Sequence, residues 1–195
     1  MSQTTRVLGI DPGTRLCGWG VVERVGSRLV HVDNGVVVLD PKAPLAVRLA
    51  RLLDALEQVV ASHAPDMAAC ETVFHNRNAQ SALILGHGRG VVLAVLARAG
   101  LEVHEYTPQQ IKKAVVGSGR ADKAQVQAMV ARRLDLPESP QADAADAVAV
   151  ALCHAQFRAP GPTGIPLPPR PQGGRRASDA ILRALVARQG QETGR

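Results

Sequence analysis

Apolar residues recur along the chain in two rhythms, and the switches between them outline its elements. Val7 to Ile10, Gly20 to Val25 and Gly35 to Leu39 are short apolar runs parted by Gly and Asp turn signals. They predict three strands, with connections short enough for antiparallel hairpins. Leu45, Leu49, Leu52, Leu53, Leu56 and Val60 then fall at helical spacing until Pro65 stops the helix. Met67 to Val73 reads as a fourth strand, Ala79 to Ala99 as a second helix ended by Gly100, and Leu101 to Tyr106 as a fifth strand. Pro108 opens a short helix, and Asp122 to Leu134 and Ala142 to Phe157 are two more. Three hairpin-linked strands followed by helix–strand–helix–strand predict an α/β layer fold with a mixed sheet.

Composition changes abruptly after Phe157. From Pro160 to Arg176, ten of 17 residues are Pro or Gly, too few apolar groups to order the chain. The predicted organisation is therefore a folded domain over residues 1–158 and a basic tail over residues 159–195, disordered apart from a possible short helix at 177–189. The net charge of +6 divides unevenly between them. Residues 1–159 hold 17 Lys and Arg against 15 acids, whereas residues 160–195 hold six Arg against two acids. Bulk charge thus points to nucleic acid mainly through the tail. Cys17, Cys70 and Cys153 stand apart with no C-x-x-C pair, which argues against a zinc site or a disulfide framework. With no apolar run near the length of a membrane span and a polar start, a cytoplasmic protein is expected.

The chemistry lies in four carboxylates. Asp11 leaves the apolar run VLGI just before Pro12 and Gly13 turn the chain, and Glu71 ends the similar run DMAACE. Asp143 and Asp146 are three apart, hence on one helix face, beside Ala142, Ala145, Ala149 and Val150. Acids so close to buried elements, with no evident Lys or Arg beside them, are costly unless a cation neutralises them. Mg²⁺ or Mn²⁺, which prefer oxygen ligands, would do so. Two such ions about 3.5–4 Å apart can activate water and stabilise the leaving oxygen of a phosphodiester. Taken singly, each acid is equally well a turn residue, a solvated strand end or a helix N-terminal acid.

The sequences around these acids change that balance. GIDPGTRLCGWGVV, CETVFHNRNAQSALILGHGRG, YTPQQIKKAVVGSGRADKAQVQAMV and LPESPQADAADAVAVALCHA resemble, in order and spacing, the RuvC family of Holliday-junction resolvases. The resemblance covers roughly residues 6 to 157 and implies a ribonuclease-H-like, five-stranded mixed sheet flanked by helices. It implies a homodimer that cuts two opposed strands of a four-way DNA junction and works with the RuvA and RuvB branch-migration proteins. Carried over by position, Asp11, Glu71, Asp143 and Asp146 become the metal-holding and catalytic acids, serving two Mg²⁺ or Mn²⁺ ions.

The same resemblance makes Phe74 an aromatic that wedges against bases near the crossover. It makes Lys112 and Lys123 contacts to the DNA backbone, where an ammonium serves as a point charge. Lys113, Arg77 and Arg120 are weaker candidates. Gly86, Gly88 and Gly90 interrupt a helical pattern, where each costs about 1 kcal/mol relative to Ala. Close helix packing explains them, and the family pairs this helix across its two-fold axis. G-H-G-R-G matches neither dinucleotide-binding nor P-loop spacing. His154 reads as a core or surface residue. Rival readings are another ribonuclease-H-like nuclease acting on RNA or hybrids, an actin-like ATPase module, for which the chain is short, and a non-catalytic junction binder, which has no use for four acids beside phosphates.

Overall fold

The computed structural model describes residues 4–72 and 79–156. Its elements in chain order are β1 (Thr4–Asp11), β2 (Leu16–Val25), β3 (Arg28–Val38), α1 (Leu45–His63), β4 (Met67–Glu71), α2 (Ala79–Arg98), β5 (Glu102–Tyr106), α3 (Pro108–Val116), α4 (Lys123–Arg133) and α5 (Ala142–Gln156). The strands form one sheet ordered β3-β2-β1-β4-β5. β1, β2 and β3 are antiparallel neighbours, while β4 lies parallel to both β1 and β5. This is the mixed five-stranded sheet that the hydrophobic pattern predicts.

Three strands outgrow the prediction, β1 by running from Thr4 to Asp11. β2 begins at Leu16 and β3 runs back to Arg28, joined through a two-residue Gly26–Ser27 turn. Gly26 takes φ 65°, the left-handed backbone that such tight hairpins need and that Gly adopts without strain. The added residues RLVHVDN leave Val30 and Val32 exposed yet stay paired with β2, apart from a bulge opposite Val21 and Val22, because the backbone ladder continues past the core. β4 stops at Glu71, and Val73 lies outside the described residues.

Helices cover both sheet faces. Period-two alternation along β1 sends Val7 to a core with α3, α4 and α5, and sends Leu8 and Ile10 to one with α1 and α2. α3 and α4 each start at a capping box, Thr107 with Gln110 and Asp122 with Gln125. α2 corrects one expectation, since by length and composition it is apolar enough to cross a membrane. Its mid-helix Arg89 is instead tied to the sheet, and its buried face packs on α1.

α5 is the central helix. Ala144, Ala145 and every residue from Ala147 to Ala155 are buried, as expected of a helix enclosed on all sides. It can lie this deep because the strands beneath it carry glycines. A Cβ on Gly9 would stand 2.2 Å from the Ala147 carbonyl oxygen, one on Gly18 2.0 Å from that of Asp143, and one on Gly20 2.4 Å from Val148 Cγ2. Gly9 and Gly20 are paired across β1 and β2, so the helix backbone seats directly on a patch without side chains. His154, on the same helix, is 5% exposed and lies 2.7 Å from the Tyr106 hydroxyl through Nδ1, which makes it a core residue.

This seating is testable. Gly9→Ala pushes a methyl into helix backbone that cannot rotate away, and is expected to cost about 3 kcal/mol or more, a fall of at least roughly 6 °C in melting temperature. An unchanged melting temperature would place α5 further from the sheet.

Candidate active site

The carboxylates converge because of strand register. Asp11 continues the face of β1 that carries Val7 and Gly9, and Glu71 continues the face of β4 that carries Met67 and Ala69, so both acids point toward α5. Ile10 pairs with Cys70, which sets Asp11 and Glu71 at neighbouring positions at the carboxyl ends of two parallel strands. That end of an open parallel arrangement is where ligands enter α/β sheets. Asp11 is also paired with Gly18, and the backbone of Asp143 lies on Gly18. The glycine seat therefore delivers the start of α5 to Asp11. Asp143 and Asp146 remain partly exposed on a helix that is otherwise buried up to Ala155, save for Ala142 at its start. Solvent thus meets α5 where its acids are.

Crowding shows in their protonation. Burial, then the charges of Asp146 and Asp143, push Asp11 from 3.8 up to about 6, against the pull of Lys123. Burial, then Asp11 and Asp146, push Glu71 from 4.5 up to about 7, with Lys112 and Lys123 opposing.

The lysines correct the expectation that no cation stands beside the acids. Lys123 Nζ lies 2.6 Å from Asp146 Oδ2, and that hydrogen bond raises the lysine pKa. The Asp122 capping box places Lys123 at the first turn of α4 and so carries it to the site. Lys112 follows the buried anchor Ile111 on α3 and faces Glu71 through its charge. Phe74 and Arg77 lie outside the described residues. Lys113 and Arg120 line a separate depression with Ser118 and Gly119. Gly117, at φ 89°, closes α3, which accounts for it as a helix terminator.

Sequence reasoning missed two contributors, the glycine seat of Gly9, Gly18 and Gly20, and Arg89. Arg89 Nη1 donates to the Glu71 carbonyl oxygen at 2.8 Å, and Nη2 pairs with Glu105. Nearer the turn after Asp11, Arg48 Nη1 donates to the Thr14 carbonyl at 3.2 Å. Among the described residues no three His, Cys, Asp or Glu side chains converge closely enough to hold an ion as they stand.

The family model described as crossover junction endodeoxyribonuclease RuvC matches residues 7–154. This chain belongs to the RuvC family. A RuvC relative from Geobacter metallireducens is 55% identical over 150 residues, covering 77% of this chain and 92% of that protein. One from Bordetella avium is 53% identical over 150 residues, covering 77% and 83%. The solved T. thermophilus RuvC in complex with Holliday junction substrate is similar with a TM-score of 0.74 and 36% identity, covering 77% of this chain and 93% of that one. A fowlpox virus resolvase, at 10% identity and a TM-score of 0.51, shares the fold. The fold is thus the ribonuclease-H-like one of RuvC. In RuvC terms, the acids named from sequence all stand on the α5 side of the sheet at one end.

Their protonation gives a pH test. Between about pH 4 and 7, Asp11 and Glu71 hold protons in the folded chain that the unfolded chain has lost, so they cost stability as pH rises through that window. His154 acts oppositely, because burial lowers its pKa from 6.5 to about 4 and the neutral form is lost as pH falls. Asp11→Asn removes the share of Asp11 in the first effect, eases that of Glu71 and leaves His154 as it is. In metal-free buffer its melting temperature relative to the unaltered protein should rise from pH 5 to pH 8, by an amount equivalent to about 2 kcal/mol. An offset independent of pH would contradict the crowded, buried setting of Asp11.

Proposed function

We propose that this chain is a divalent-metal-dependent endodeoxyribonuclease that resolves four-way DNA junctions, hydrolysing one phosphodiester in each of two opposed strands. The observation that carries this reading is the gathering of Asp11, Glu71, Asp143 and Asp146 at one end of the sheet, on a chain of the RuvC family. A non-catalytic junction binder has no use for four acids facing phosphates.

The donor set fits hard cations. All four groups offer carboxylate oxygens, and two are pushed toward the protonated form by burial and then by the neighbouring acids. Asp11, Glu71, Asp143 and Asp146 would hold two Mg²⁺ or Mn²⁺ ions, which supply an activated water and neutralise charge on the leaving oxygen. Lys123, whose ammonium now lies on Asp146, is then available to a DNA phosphate, and Lys112 sits on the same side. Phe74 follows three residues after Glu71 and serves as the wedge at the crossover. The nuclease unit ends near residue 158, and the Arg-bearing residues beyond it add salt-sensitive attraction to DNA.

Two opposed cuts call for two sites. α2 offers the surface for pairing with a second copy. Leu83 is 59% exposed, and Cβ atoms on Gly86 and Gly90 would meet nothing within 4 Å. With Leu53, His87, Val91 and Ala94 these residues line a shallow apolar depression. Small residues let two helix backbones approach, and an isologous dimer presents its sites with the junction's own two-fold symmetry. Three separate, buried thiols suit a reducing cytoplasm, where the family reading adds RuvA and RuvB as partners.

Asp11→Asn, Glu71→Gln and Asp146→Asn are each expected to abolish Mg²⁺-dependent cleavage of a synthetic four-way junction while binding it as tightly or more so, since removing charge relieves repulsion of phosphates. Retained turnover in any two would end the four-carboxylate reading. Leu83→Arg is expected to convert a dimer to a monomer in sedimentation, with little change in the far-UV spectrum. A variant that stays dimeric would move the interface off α2.

A further inference from the structure

We propose that Arg89 is a positioning residue for Glu71, fixing the end of β4 from the opposite side of the sheet. The proposal rests on the reading of Glu71 as a metal-holding acid and adds the residue that keeps it in place. The last β1–β4 partners are Ile10 and Cys70, so Glu71 is one residue beyond the support of β1. On its other side β5 ends at Tyr106, whose carbonyl already receives both the Thr72 N–H at 2.8 Å and the Thr72 hydroxyl at 3.2 Å. Glu71 therefore stands where the sheet gives out, and residues 73–78 that follow lie outside the described part. The acid points to the α5 side. Its carbonyl is taken by Arg89, which reaches up from α2 on the other face.

The geometry suits this task. One nitrogen of the guanidinium holds the Glu71 carbonyl at 2.8 Å, and the other pairs with Glu105, the residue opposite Cys70 on β5. A planar fork with two donors on separate nitrogens fixes both strand ends at once, and a lysine ammonium does not reproduce that spacing. The Arg89 side chain is 18% exposed, so the contacts are shielded from competing water. Glu105 is 46% exposed, which leaves the ion pair as the weaker member and the carbonyl bond as the one that acts on the site. α2 also carries Gly86 and Gly90, so the helix proposed to pair across the dimer is the helix that holds Glu71.

The test compares Arg89→Met, Arg89→Lys and Glu105→Gln with the unaltered full chain. Two quantities are read against Mg²⁺ concentration: the rise in melting temperature, and single-turnover cleavage of a four-way junction. Junction affinity is measured without Mg²⁺. Loss of a group that orients a metal-holding carboxylate costs about 10–100-fold in metal affinity or activity. Arg89→Met is expected to shift both Mg²⁺ midpoints upward by that factor and leave metal-free junction affinity unchanged. Arg89→Lys should recover part of the shift, and Glu105→Gln, which keeps the carbonyl bond, should lie near the unaltered protein. Should Arg89→Met fail to fold, Arg89→Lys against Glu105→Gln decides by the same ordering. An unaltered protein that responds to Mg²⁺ while Arg89→Met shares its midpoints overturns the proposal. So does Glu105→Gln shifting as far as Arg89→Met, which makes the pair merely structural. If the unaltered protein shows no Mg²⁺ response at all, it is the metal-site reading that fails, and the role given to Arg89 falls with it.

Discussion

α5 lies with its backbone against the backbone of β1 and β2, and most of the site's geometry depends on that contact. Side chains at Gly9, Gly18 and Gly20 would each overlap helix atoms, so the distance between sheet and helix is set by having none there. The contact buries α5 along nearly its whole length and leaves Asp143 and Asp146 at the end that meets solvent. It also lays Asp143 over Gly18, the strand partner of Asp11. Packing and chemistry are thus one constraint. A sheet with ordinary side chains at these positions would hold the helix several ångströms off, and the acids with it.

Seating four acids together has an electrostatic cost that the protein meets in part. Lys123 covers Asp146, and Lys112 and Lys123 temper Glu71, yet Asp11 and Glu71 still favour the protonated form far above their ordinary range. Charge left uncompensated at a sheet end is what an oxygen-coordinated cation relieves. Among the described residues the cation in direct contact with these acids is Lys123, on Asp146. On the proposed reading, a bound divalent cation would take over this role and free Lys123 for a phosphate.

Much of this was legible in the chain. Asp11 and Glu71 end apolar runs, and position at a strand end is a property of local sequence. Asp143 and Asp146 share a helix face by spacing alone. What the sequence hid is contact between distant segments. Lys123 and Asp146 are brought together by the packing of α4 on α5, and neither residue's neighbours announce it. Gly9 and Gly20 read locally as members of apolar strands and Gly18 as a break between two of them, whereas all three mark where a helix backbone comes close. Arg89 sits in an apolar helical stretch with no local sign of a partner on another face of the sheet. β2 and β3 ran long because ladder pairing carries polar residues that hydrophobic patterning passes over. The proposed wedge, Phe74, lies outside the described residues.

The claim that these carboxylates form one cation site is open to a direct measurement: anomalous diffraction from crystals soaked in Mn²⁺. The account predicts anomalous density among Asp11, Glu71, Asp143 and Asp146, with Lys123 drawn away from Asp146. Crystals that show no peak there while Lys123 stays on Asp146 would contradict it.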